Sequence, residues 1–218
     1  MKIQKFLHSC LLVEENGTRI LIDPGLYSFI EGRVKPEDFK NINAILITHE
    51  HPDHVDSVAL KVILKNNPLA SVYGNGGVVE FLKKEGIMVL IFEEGEKRIG
   101  GVPILARFAQ HGTVLSKAPK NTAYIIDGKL LIGGDSLDEE LERLKGIEVL
   151  ALPITAPWHR AIDAVAFAAA IGPKTIIPIH DGFVKDFFLK GRYAAFSKSF
   201  TEIKIDFHPL EVGEIFEI

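Results

Sequence analysis

Thr48-His49-Glu50-His51-Pro52-Asp53-His54 places three histidines and Asp53 within six consecutive positions. The apolar run Ala44-Ile45-Leu46-Ile47 precedes it and reads as a buried strand. Beyond it, Val55, Val58, Ala59, Val62 and Ile63 recur at helical spacing, which predicts a helix over 55–66 that stops at Asn66-Asn67-Pro68. The cluster therefore occupies the turn between a strand end and a helix start. Side chains on such a turn are not confined to one face and can converge on one point. Imidazoles and a carboxylate are the donors that zinc-type and manganese-type divalent ions take.

At 218 residues the chain can bury one sizeable core. Its apolar fraction of 47% and charged fraction of 25% are ordinary for a globular protein. A net charge of −4 gives no basic track for nucleic acid or an anionic membrane surface. The one cysteine, Cys10, excludes an intrachain disulfide and sits in an apolar run as a small hydrophobe. No apolar run approaches the roughly 20 residues that span a bilayer. Residues 1–7 alternate rather than form a signal-peptide core, so a cytoplasmic location is expected.

Outward from the cluster, residues 2–22 read as strands around the hairpin turn Asn16-Gly17. The return strand, 18–22, ends in Asp23-Pro24-Gly25; Asp23 either caps that turn or holds a metal ligand in place from behind. An irregular connection spans 26–43. A short strand at 70–73 leads through Gly74-Asn75-Gly76-Gly77 into a helix over 78–84. That turn lacks the lysine and the spacing of a phosphate-binding loop. Strands are expected at 87–92 and 102–109, the latter delivering His111. A hairpin, 122–126 with 129–132 about Asp127-Gly128, runs into Gly133-Gly134-Asp135-Ser136. A helix over 137–145, a strand over 147–152 and a loop over 153–160 follow. The helix over 161–171 is stopped by Gly172-Pro173, and the strand over 175–179 ends in His180. The tail reads as a short aromatic-rich segment and two weak strands, with His208 at the surface. This mixed pattern, with no linker or repeat, suggests one domain over 1–218 in which two sheets pack face to face beneath helices.

His111, Asp135 and His180 each follow an apolar strand, as the cluster does. Ligand sites in layered α/β folds gather beyond the carboxyl ends of strands. Taken alone each residue is a weak signal; together they bring seven donors to one region. In this set the chain resembles the metallo-β-lactamase superfamily: His49-x-His51-x-Asp53-His54 matches its hallmark, with His111, Asp135 and His180 in the expected order and Asp23 at its early aspartate. His8-Ser9, Leu21-Ile22-Asp23-Pro24-Gly25 and Ile177-Pro178-Ile179-His180 resemble a branch of compact metal-dependent hydrolases related to ascorbate-6-phosphate lactonase.

The resemblance implies an α/β (α+β) four-layer αββα sandwich with a dinuclear site in a cleft at one edge of the sheets. It implies that His49, His51 and His111 hold one ion, that Asp53, His54 and His180 hold the other, and that Asp135 bridges them. The ions would be zinc first, with manganese or iron(II) also accepted by such donors. Two ions held about 3.5–4 Å apart clamp a bridging hydroxide that attacks an ester, lactone or phosphoester, and Asp53 can orient it and pass on a proton. His8 reads either as support for the ligands or as a hydrogen-bonded structural histidine. Trp158, His159 and Arg160 read either as substrate contacts or as an aromatic anchor with two solvated neighbours.

Four functions follow: a dinuclear hydrolase of a small molecule, a phosphodiesterase or nuclease of the same superfamily, a mononuclear iron oxygenase of the persulfide dioxygenase type, and a metal-binding module without turnover. The acidic balance and the short interval between Asp135 and His180 count against a nuclease. An oxygenase would leave His54 and His180 without purpose, and a silent module has no need of seven donors. A small-molecule substrate, with no nucleic acid and no membrane, is the expected partner; a homo-oligomer is left open. Substrate choice belongs to loops 26–43, 112–121 and 153–160.

Overall fold

The computed structural model describes residues 1–218. The first sheet contains β1 (Lys2–Lys5), β2 (Leu11–Glu15), β3 (Thr18–Ile22), β4 (Ala44–Leu46), β5 (Ser71–Gly74) and β6 (Leu90–Ile91). The second contains β7 (Gly95–Ile99), β8 (Val102–Phe108), β9 (Thr122–Ile126), β10 (Leu130–Ile132), β11 (Val149–Pro153), β12 (Thr175–Ile179) and β13 (Asp206–Phe207). The last strand, β14 (Ile215–Glu217), returns to pair with β1. Each sheet begins as an antiparallel meander and finishes parallel, β3 to β6 in one and β10 to β13 in the other. Parallel neighbours need crossovers. Four of the six are helical, α1 (Ser57–Asn66), α2 (Gly76–Lys84), α3 (Ala161–Ile171) and α4 (Asp186–Glu202).

Strand alternation assigns side chains to layers. Leu11, Val13, Ile20, Ile22, Ala44 and Leu46 turn inward against Ile104, Ala106, Tyr124, Ile126, Ile132 and Ile177. Their neighbours turn outward. Ile45, Ile47 and Val72 lie under Leu60, Ile63, Val78 and Leu82 of α1 and α2. Ile125, Leu131, Leu150 and Ile176 lie under Phe167 and Ala168 of α3 and Phe196 and Phe200 of α4. The result is the expected αββα sandwich. Each fully buried Leu, Ile or Phe contributes roughly 1.5–3 kcal/mol. Cys10 is buried in the outer layer, where burial pushes its thiol up.

Three expectations fail locally. The helix over 137–145 is only a 3-10 turn at Leu141–Arg143. Asp138 explains this: its carboxylate accepts from the backbone of Gln110 and of Glu140, and its own amide donates to Ser136 Oγ. Such local bonds compete with helix formation. The strand over 87–92 shrinks to β6, because the amide of Ile87 still closes the end of α2 on Leu82. The aromatic tail segment is α4, a full helix of 17 residues anchored by Phe196 and Phe200. Its outer face also carries exposed aromatics, Phe187 and Phe188, so no apolar stripe marks it in the sequence. The two weak tail strands are β13 and β14. No helix is long and apolar enough to cross a membrane.

Pairing directions position the site. β1 and β3 point the same way as β4, and β8 the same way as β10 and β12. The residues that follow these strands therefore emerge together. Thr122 N donates to Thr48 O (2.9 Å), and Asn75 Nδ2 reaches the same oxygen (2.9 Å), binding the two sheets at this edge.

Candidate metal centre

The His49–His54 turn is held by its own backbone and by its neighbours. His54 N and Val55 N both donate to His51 O, and Pro52 O accepts from Leu26 N. Asp56 caps α1 through Val58 N and Ala59 N. Gly25 packs on this turn so closely that a Cβ there would fall 1.9 Å from Asp53 O. His8, Asp23 and His180 hold positive φ of 60°, 45° and 61°. Non-glycine residues rarely do so, and each costs on the order of 1–3 kcal/mol that the surrounding packing must offset.

All seven expected donors meet at the one edge. With His8 they form two groups, His49, His51, His111 and Asp135, and His8, Asp53, His54 and His180, with ligand atoms in each group within 4.8 Å of one another. Asp135 spans both. Its Oδ1 lies 3.0 Å from His54 Nε2, and its Oδ2 lies 3.2 Å from His180 Nε2 and 3.6 Å from His111 Nε2. Asp53 Oδ2 lies 3.3 Å from His180 Nε2.

Asp23 sorts the protons. Its carboxylate accepts from Thr48 N (2.8 Å), from Thr48 Oγ1 (2.8 Å) and from His54 Nδ1 (2.8 Å). Thr48 Oγ1 has given its hydrogen to Asp23, so towards His49 Nδ1, at 3.0 Å, it accepts. His49 and His54 thus both carry a proton on Nδ1 and turn Nε2 inward. His111 Nδ1 donates to Gly112 O (2.6 Å), and His180 Nδ1 donates to Thr155 O. Four histidines are therefore held in one orientation by partners behind them, the arrangement metal-binding imidazoles use. His8 is built the other way. Its Nδ1 accepts from Gly182 N (3.2 Å), so Nε2 carries the proton and donates it to Asp53 Oδ2 (3.1 Å). A nitrogen committed to that hydrogen is not a metal donor, which leaves His8 as support for Asp53.

The residues fit a cation. Buried polar atoms almost always find partners, yet His54 Nε2, His111 Nε2, His180 Nε2 and Asp135 Oδ1 have no hydrogen bond. His49 Nε2 and His51 Nδ1 face each other at 3.2 Å, with a lone pair on at least one. The facing carboxylates set the charge on the rings of His54 and His180. Burial opposes charge on His54 and His180, but Asp135 with Asp23 overrules it for His54, and Asp135 with Asp53 pushes His180 up to about 9. Burial would raise Asp53 and Asp135, and the facing histidines instead hold both well below the usual carboxylate range. Burial pushes His49 down, and His8 down to about 4.

The remaining candidates divide. Trp158 reaches the centre, donating from Nε1 to Asp135 Oδ2 (3.2 Å). His159 packs on Trp158 and bonds Arg160 O. Arg160 is exposed and turned to Asp163 (2.6 Å), where it helps cap α3. His208 pairs at the surface with Asp206. Sequence reasoning missed Thr48, although it opens the motif. It also missed Asn121, whose Nδ2 holds Ala109 O and Gly133 O while Oδ1 accepts from Asp135 N. A polar residue opening an otherwise apolar strand was the available signal.

Fold and donor set together define a metal-dependent hydrolase. The Beta-lactamase superfamily domain matches residues 2–180. Among curated relatives, a Mycobacterium tuberculosis protein is 32% identical over 84% of this chain and 85% of its own length. A UPF0173 metal-dependent hydrolase from Pyrococcus abyssi is 29% identical over 81% of this chain and 83% of its own. The structure of a metallo hydrolase from Ignicoccus hospitalis superposes with a TM-score of 0.77 at 23% identity, covering 100% of this chain and 98% of that one. An isothiocyanate hydrolase from Delia radicum gut bacteria gives 0.72 at 18% identity, covering 100% and 99%; these two likenesses concern the fold. The chain belongs to the metallo-β-lactamase superfamily.

Proposed function

We propose that this protein is a dinuclear hydrolase of a small ester, lactone or phosphoester. In this reading His49, His51 and His111 hold one divalent ion, Asp53, His54 and His180 hold the second, and Asp135 serves both. One observation carries it: seven inward donors converge, and four of the histidines have Nδ1 engaged from behind while three of their Nε2 atoms lack any hydrogen bond. Zinc suits this imidazole and carboxylate set, as do manganese and iron(II). Bound ions of this kind supply a water-derived nucleophile near neutral pH and a Lewis acid for the oxygen that gains charge.

The chain's own residues do the rest. Asp53 stays ionised because His180 and His8 face its Oδ2, which suits it to hold an ion and orient the nucleophile; the same contacts make it a weak base, so a proton it takes passes readily to a leaving group. His8 holds that carboxylate in one orientation. Trp158 ties down Asp135. The whole chain acts as one domain in this reading, in the cytoplasm, with lactones among the first substrates to try.

Metal analysis by mass spectrometry and turnover of an activated ester or bis-p-nitrophenyl phosphate test the proposal. Two zinc or manganese ions per chain, with turnover lost in His49→Ala and Asp135→Ala, are expected. One iron per chain, or full activity in both variants, would overturn it.

A further inference from the structure

An open cavity of about 330 Å³ adjoins the second donor group. Pro157, Val184 and Phe188 line it with apolar surface, and two further lining residues, Thr155 and Phe183, lie against His180. Thr155 O holds His180 Nδ1. The Phe183 ring lies 5.4 Å from that of His180 and 5.6 Å from that of His8. Tyr27 stands beside them, 5.2 Å from His8 and 6.1 Å from Phe183. Phe183 and Phe188 remain nearly half exposed, at 45% and 47%. Large aromatics left open beside a reactive centre are a surface that a ligand would cover.

One charge lines the cavity, that of Arg192. Its Nε donates to Ile154 O (2.8 Å), its guanidinium lies over Phe196 at 5.1 Å, and it forms no ion pair. No lysine lines the cavity, and two further cations of the region are engaged. Lys5 is gripped by both oxygens of Asp181, and Arg160 by Asp163. The lining itself thus offers one cation, and a single planar guanidinium at an apolar cavity matches one carboxylate.

We infer that this cavity is the specificity pocket. It receives an apolar acyl or aryl arm ending in a carboxylate, with the scissile bond of an ester or lactone placed beside His180 and Asp53. The inference rests on the hydrolase reading for the reaction, but not for the binding.

Trp158, the only tryptophan in the chain, adjoins Pro157 and stands 6.5 Å from the His180 ring, so its fluorescence reports on the pocket without turnover. The probes are 4-phenylbutyrate and, as the uncharged comparator, 4-phenylbutanol. Saturable quenching by 4-phenylbutyrate is expected. Arg192→Gln should weaken it about tenfold or more while leaving 4-phenylbutanol unaffected. Phe183→Ala and Phe188→Ala should weaken both probes, with circular dichroism confirming that each variant folds. With zinc-loaded protein, kcat/KM for p-nitrophenyl esters should rise from acetate to hexanoate, by up to roughly fourfold per buried methylene. Arg192-dependent binding without any ester turnover would keep the pocket and remove the hydrolase reading. Ester turnover that ignores chain length, with no change in Trp158 fluorescence, would overturn the pocket and keep the hydrolase.

Discussion

Asp23 is the residue on which the two halves of the centre depend together. It orients His54 directly and His49 through the Thr48 hydroxyl, and these histidines belong to different donor groups. Asp23→Asn would turn an amide N–H toward two hydrogens that need an acceptor. Metal affinity should fall about 10–100-fold at both sites, read by competition with a chromophoric chelator. Loss at one site alone would contradict the shared role. His180, with His54 also raised, gives the centre its pH dependence. The His180 pKa in the metal-free fold is raised from 6.5 to about 9, so the protonated form stabilises that fold fully below pH 6.5. That stabilisation disappears as the pH rises through about 9. A metal ion must displace the same proton, so zinc affinity should climb between pH 6.5 and 9 and binding should release protons there, measured by titration calorimetry in buffers of different ionisation enthalpy. A flat profile would show that His180 is already neutral.

At the scale of elements, the difference between α3 and α4 shows what periodicity can reveal. α3 is bounded by Gly172 in the left-handed conformation, φ 68°, and Pro173 follows it, a stop written in the sequence. α4 has no such marks. Its anchor is Phe196 and Phe200, stacked with Phe207 of β13 at 5.9 and 5.7 Å, an arrangement only the folded chain makes. Phe200→Ala should cost about 3–5 kcal/mol, measured by urea denaturation. A change below about 1 kcal/mol would mean that α4 does not close the core. The failed helix at 137–145 is the converse case: Leu137, Leu141 and Leu144 satisfy the helical period, but the Asp138 carboxylate, held by Gln110 N after β8 and by Glu140 N, fixes a turn there instead.

On the scale of the whole molecule, the candidate donors lie at one edge because in each sheet the strands that precede them run the same way, and a bound metal would tie those sheets together where Thr48, Asn75 and Thr122 already join them. Metal removal should therefore lower global stability. Ligand linkage predicts about 2.7 kcal/mol for each site held at 100 times its Kd. Calorimetry before and after exhaustive chelation should show a lower Tm, recovered with added zinc; an unchanged Tm would separate the centre from the stability of the fold. The sequence by itself determined the strand that ends at the His49–His54 cluster, the two βαβα halves and the four-layer class, because alternation, helical period and Gly or Pro punctuation are local properties of the chain. It also singled out the seven donors, since residues that follow apolar strands can be counted without knowing where the strands lie. Tertiary structure alone decided which nitrogen of each histidine faces inward, that Arg160 turns away to Asp163 while Trp158 turns in, and that Arg192, twelve residues beyond His180, stands in a cavity beside it. These depend on partners far apart in sequence, as with His8 and Gly182 or Asp23 and His54, and no local pattern encodes a hydrogen bond whose two ends meet only on folding.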